Sequence, residues 1–369
     1  MDNIRWLVEN GGAAIKLNLM NERLIDKNAY DVNELANELV QIDKIKTALT
    51  YFDPFASVHL YPLNELSTMI HNFEEYRFEN FMRFFIAFGF RKGISLFDEK
   101  IEYMRNAYVI FPEELPRISI LLLQAGYYFG DMEEYMVKRL DRIHKIVEIQ
   151  AFDFYEDDIT KIRNPNNPLW KDKRIVKDKY NPYGGDVSEF PLPLYQDIRI
   201  LLYIYKYIKD DKVKNKIDDM IQYILDPRYQ AANGGEVWHW SIGKKTYHAG
   251  GAGVSLPVDD IESGINNYRH ALHTIEMMSL SPVALKSDWF EKVMNHLEKY
   301  RTGQGTYLFP ENCLFNITFR PSNKTTICNG FISKDILPNI NKSERQSFAF
   351  ELYSTFFMVM LKNRLQCSK

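Results

Sequence analysis

Between Asp226 and Asp260 the chain reads DPRYQAANGGEVWHWSIGKKTYHAGGAGVSLPVDD, which places Trp238, His239, Trp240, Tyr247 and His248 among six glycines. These are residue types that do chemistry. An imidazole titrates near neutrality and serves as acid or base, and indole and phenol rings stack on sugars or hold apolar and cationic groups. Packing across the mouth of a helical scaffold is the plainer reading of the same rings. Asp259 and Asp260 follow, with Glu262. A carboxylate pair can share a proton or bind a metal beside His248; the plainer role is for one of them to cap the helix that comes next. Next are Asn266, Asn267, Tyr268, Arg269, His270 and His273. His270 and His273 share a helical face, but HxxH without a third ligand is a weak zinc signal. Asp153, Glu156, Asp157, Asp158, Asp186 and Glu189 supply further carboxylates. An inverting glycosidase needs two of these across a cleft, while a solvated acidic face needs none.

The elements that must position these groups are helical. Apolar residues recur at helical spacing from Leu35 to Leu49 within 33–51, from Arg77 to Phe90, and from Ser95 to Val109. Pro116–Phe129 is apolar nearly all round, and 132–148 carries one stripe of Met132, Met136, Leu140, Ile143 and Val147. The alternation recurs at 191–208 and 213–224, again at 265–278 and 289–300, and a last helix runs from Arg345 to Leu361. A helix apolar on most sides is buried, and one with a single stripe lies outside. Stacked pairs of this kind form an open solenoid or close into a ring. The sequence therefore predicts an all-α protein, an α/α toroid (a double-layered helical barrel) in one domain over 1–369. Helices of 1–60 lead in, and long rim loops fall at 149–190, 226–264 and 302–344. Alternation of Tyr307, Phe309, Phe315, Ile317 and Phe319 leaves room for a short β-hairpin in the last of these.

Composition narrows the function classes. Of 369 residues, 46% are hydrophobic and 26% charged, which suits a globular chain with a sizeable core. The 24 Phe and 23 Tyr suit helices packed round a wide interior or a ring-lined site. A formal net charge of −3 without a basic stripe argues against nucleic acid. Cys313, Cys328 and Cys367 are too few and too scattered for a disulfide framework or a cysteine-rich zinc site. An early Asp2 and Glu9, with no apolar stretch, exclude a signal peptide at the start, and no run reaches the length of a membrane span. The expected location is cytoplasmic, with no cofactor and no metal.

Three stretches resemble the α/α-toroid superfamily of terpenoid cyclases and protein prenyltransferases: WLVENGGAAIKLNL, IQYILDPRYQ with GKKTYHAGGAGVSLP, and ERQSFAFELYSTFFMVML. The resemblance is nearest to bacterial uncharacterised members. It implies the toroid and an apolar, isoprenoid-like ligand. It does not bring the chemistry: DxDD, DDxxD and the Asp, Cys and His zinc-ligand pattern of those enzymes are all missing.

The sequence thus favours a toroid that binds or transforms an apolar isoprenoid-like small molecule in a central aromatic-lined cavity. His248, Asp259 and Asp260 are the candidate catalytic groups, and Trp238, His239, Trp240, Tyr247, Tyr268 and Arg269 line the ligand site. One alternative is a carbohydrate lyase or hydrolase with Trp238 and Trp240 as stacking platforms. The other is a non-catalytic scaffold for a protein partner.

Overall fold

The computed structural model describes residues 2–61, 63–71, 74–110, 115–156, 174–182, 189–233, 237–243, 245–256, 271–311 and 324–368. Among the described residues the chain is mostly helical, with one short antiparallel hairpin. In order, the elements begin with α1 (Asn3–Asn10), α2 (Ala13–Asn21), α3 (Val32–Val40), α4 (Asp43–Thr50), α5 (Asp53–Ala56), α6 (Leu63–Ile70), α7 (Phe78–Ala87), α8 (Ser95–Ile110) and α9 (Leu115–Gln124). Next come α10 (Gly130–Glu148), α11 (Tyr195–Ile204), α12 (Asp211–Leu225), α13 (Pro227–Asn233), β1 (Val237–Ile242) and β2 (Lys245–Ala252). The chain ends with α14 (Ala271–Met278), α15 (Pro282–Leu285), α16 (Asp288–Leu297), α17 (Lys324–Phe331) and α18 (Arg345–Cys367). No described helix is long and apolar enough to cross a membrane.

The chain divides into two compact units. One comprises Met1–Tyr127, Pro257–Ser279 and Glu291–Lys369; the other, Tyr128–Leu256 and Leu280–Phe290.

The first unit is built on phenylalanine. Phe52, Phe78, Phe81, Phe85, Phe88, Phe90 and Phe97 are buried. They meet edge-on or tilted, as Phe52 does with Phe81 at 4.7 Å and Phe85 with Phe90 at 5.1 Å. The two ends of the chain close together here. Gly12 N–H donates to Phe331 O at 2.7 Å and Ser333 N–H to Asn10 O at 2.9 Å. A Cβ on Gly12 would stand 2.6 Å from Ile332 O, so only glycine admits this approach. Arg364 on α18 donates to Glu22 at 2.8 Å and to Ser279 Oγ at 2.7 Å.

In the second unit α10 packs on α12, and the stripe read from the sequence, Met132, Met136, Leu140, Ile143 and Val147, is buried throughout. A buried ion pair fixes the entry to α11. Arg139 Nη2 lies 2.9 Å from Asp197 Oδ2, with the side chains only 3% and 6% exposed. Arg139 also donates to the carbonyls of Phe190 and Leu192, and Leu194 N–H donates to Asp197 at 3.0 Å. The guanidinium and the Asp197 Oδ2 oxygen are thus held by several partners each, as a buried charge requires.

Three expectations change. A hairpin lies at 237–252, within a stretch read from the sequence as a loop. Its physical cause is local: aromatic and β-branched residues flank a two-residue turn whose first position, Gly243, has φ 57°. In 302–344, α17 is a helix, and Phe315, Ile317 and Phe319 lie outside the described residues. The single helix expected over 33–51 is two, because Ile42 is extended (φ −79°, ψ 115°) and starts α4 afresh.

Candidate functional site in the cleft of the first unit

The hairpin brings the sequence-predicted aromatic residues together in the second unit. Register pairs His239 with His248 and Trp240 with Tyr247. The Trp240 and Tyr247 rings stack at 5.9 Å. A further edge pairs with β1, since Val176 N–H donates to His239 O at 2.8 Å and Tyr155 forms a bridge with Val176. Rings from the flanking segments then cover the indoles. Trp238 meets Phe154 at 5.2 Å and Tyr155 at 5.5 Å, and Phe190 stacks on Trp240 at 5.2 Å. Both indoles are 0% exposed, so neither offers a face to a sugar. Trp238 Nε1 donates to Pro193 O at 3.3 Å. His239 is buried with Nδ1 2.8 Å from Val237 O, while His248 is exposed on β2. Asp259, Asp260, Tyr268 and Arg269 lie outside the described residues. His273 is on α14, 3.8 Å from Glu276. No group of three or more metal-ligating side chains gathers among the described residues.

An open site lies elsewhere, in the first unit. A cleft of about 590 Å³ runs between the α3–α4 corner and α17 with the turn that follows it. That volume is in the range of small-molecule sites. The corner exists because α3 stops at Val40 and α4 restarts at Asp43. Asp31 caps α3, accepting from Asn33 and Glu34 N–H at 2.7 and 3.2 Å, whereas Ile42 provides no side-chain cap for α4. The corner contributes Glu38, Gln41, Asp43 and Lys44 around Leu39 and Ile42.

The opposite wall follows from the two faces of α17. Ile327, Cys328 and Phe331 are buried against α18 and α2. Burial pushes the Cys328 thiol up, only partly opposed by the charge of Arg345. Gly330 lets the helix close on Phe88, where an added Cβ would meet the ring at 2.4 Å. Thr325 and Asn329, one turn apart, are exposed toward the cleft. Lys334 reaches across to Glu38 at 3.4 Å and joins the two walls.

The cleft therefore offers carboxylates (Glu38, Asp43), ammonium groups (Lys44, Lys334), hydroxyls and amides (Thr325, Asn329, Gln41) above an apolar floor of Leu39, Ile42 and Leu337. Such a set can offer hydrogen bonds and charge of both signs beside apolar surface.

Behind Lys44 is a smaller pocket of about 20 Å³, lined by Ala48, Tyr51, Glu75, Asn80, Phe81 and Phe84. Lys44 lines both spaces, and its Nζ lies 3.0 Å from Glu75 Oε1. Burial raises the Tyr51 phenol above its ordinary range, and the charge of Glu75 adds to the rise.

Compared with models of protein families, with curated proteins and with solved structures, the chain matches none.

Proposed function

We propose that the protein binds a small molecule in the α3–α4/α17 cleft, and that this ligand is polar at one end and apolar along part of its length. The observation that carries the reading is the cleft itself: about 590 Å³ of open space with both signs of charge over an apolar floor. The buried indoles and the packed phenylalanines direct the reading here, because ring faces already in mutual contact have no area left for a ligand. The reading keeps the small-molecule ligand expected from the sequence. It takes the ligand site away from the hairpin.

The test is a ligand-detected NMR screen with four panels: zwitterionic metabolites, amines, sugars and isoprenoid alcohols. Hits are repeated on Asn329→Trp, which fills the cleft from an exposed position. A true cleft ligand at a hundredfold its Kd stabilises the wild type by about 2.7 kcal/mol and leaves the variant unshifted. Hits that stabilise both proteins equally refute the cleft as the site. Enrichment of the isoprenoid panel favours the ligand class that the toroid resemblance implies, and enrichment of the first two panels favours the polar class.

A further inference from the structure

We infer that the pocket behind Lys44 is a subsite for a small organic cation, an alkylammonium group, and that Lys44 is its built-in placeholder. The inference rests on the cleft reading for the route by which a ligand arrives. Three observations support it. The walls are rings: Phe81 is 1% and Phe84 8% exposed, and Tyr51 lies 6.1 Å from Phe81 with the planes tilted 53°. Ring faces are electronegative and attract cations. A carboxylate stands in the lining, that of Glu75, and it favours a cation beside it once the Lys44 ammonium turns away. Finally, an ammonium is already bound at this carboxylate, the chain's own Lys44 at 3.0 Å, which shows what chemistry the site satisfies.

Space sets the size of the occupant. About 20 Å³ admits a methyl group or a water with Lys44 in place. Rotation of Lys44 into the cleft, where it also has a lining face, gives up the room of its ammonium as well. A ligand amine then exchanges with the Lys44 ammonium on Glu75, and its first carbons lie against Tyr51, Phe81 and Phe84. No bond is made or broken. Lys44 and Glu75 are 27% and 29% exposed, so the exchange needs no unfolding. A neighbouring ring shows the same preference: Arg77 sits over Tyr76 at 4.7 Å.

Because Lys44 is tethered, it competes at an effective concentration of roughly millimolar. Removing it strengthens amine binding. The experiment titrates n-butylammonium, with 1-pentanol as the neutral analogue, into the wild type, Lys44→Met, Lys44→Ala and Glu75→Gln by calorimetry. Circular dichroism and Tm confirm that each variant is folded. The expected result is at least tenfold tighter binding of n-butylammonium to one or both Lys44 variants, at least tenfold loss in Glu75→Gln, and no discrimination of variants by 1-pentanol. Equal binding of n-butylammonium to all four proteins overturns the inference, as does 1-pentanol following the same order. The two readings fail separately. Metabolite hits blocked by Asn329→Trp, together with n-butylammonium indifferent to Glu75, refute the subsite and keep the cleft. Discrimination of n-butylammonium by Glu75 with no cleft-dependent hit keeps the subsite and refutes the cleft.

Discussion

The β1–β2 hairpin of the second unit and the α3–α4/α17 cleft of the first use opposite kinds of residue. The hairpin has the two indoles, two imidazoles and a phenol that draw the eye in the sequence, and its rings pack on one another until both indoles are 0% exposed. The cleft has threonine, asparagine, glutamine and lysine, ordinary residues on helix ends, yet about 590 Å³ remains open among them. Large rings are the side chains that gain most from leaving water. A dense run of them therefore closes on itself, and space for a ligand survives where short polar side chains keep two walls apart.

This contrast can be broken or sharpened by substitution. The largest effect belongs to the clamp beneath the hairpin. Arg139→Ala leaves Asp197 charged and buried, and should cost about 3–5 kcal/mol. Chemical denaturation followed by tryptophan fluorescence, with Trp238 and Trp240 as reporters, measures it; a loss below 1 kcal/mol would separate the clamp from the stability of that region.

Acid tests the first unit. Burial alone would raise the Glu79 carboxyl. Its hydrogen bond to His71 at 2.6 Å and the charges of Arg83, His71 and Arg117 outweigh burial and hold it at about 2. A folded-state value below the unfolded one means stability that is complete above the ordinary carboxylate range and is lost as pH falls from about 4.5 to 2. Glu79→Gln should remove about 2–3 kcal/mol at neutral pH and flatten that acid limb. Urea melts at several pH values give the answer, and an unchanged acid limb would rule Glu79 out as its source.

Trp238→Phe gives up the hydrogen bond to Pro193 along with ring area and should cost about 1–2 kcal/mol. Thermal melts check the size of the loss, and a variant as stable as the wild type would mean that the indole nitrogen contributes nothing. Smallest of all, Asn329→Ala at the cleft should stay within about 0.5 kcal/mol of wild type. A large destabilisation there would turn the cleft wall into a structural joint.

The helical stripes were legible because burial has a period. Met132, Met136, Leu140, Ile143 and Val147 are all buried on α10, as their spacing requires. The hairpin was hidden by its own composition, since glycines and histidines on β2 read as a loop until the turn at Gly243 pairs the strands. The corner at Gln41 and Ile42 was hidden for the opposite reason: neither glycine nor proline marks it, and Leu35, Leu39, Ile42, Ile45 and Leu49 keep a helical spacing straight through the break. That unmarked corner forms one wall of the cleft. The other wall, with Thr325 and Asn329 at helical spacing, lay in a stretch whose alternating rings suggested a strand.

The joining of Gly12 to Phe331 has a consequence in time. A ribosome makes the chain from its N-terminus, so α1 to α4 leave long before their partner α17 exists. Contacts of such sequence separation close slowly, and the surfaces that await them remain available to wrong partners. In sequence, the principal segment of the second unit, Tyr128–Leu256, follows the first of three segments of the first unit, so it is complete while the first unit still waits. The cleft is consequently one of the last features to appear, since its walls come from 38–44 and 325–337.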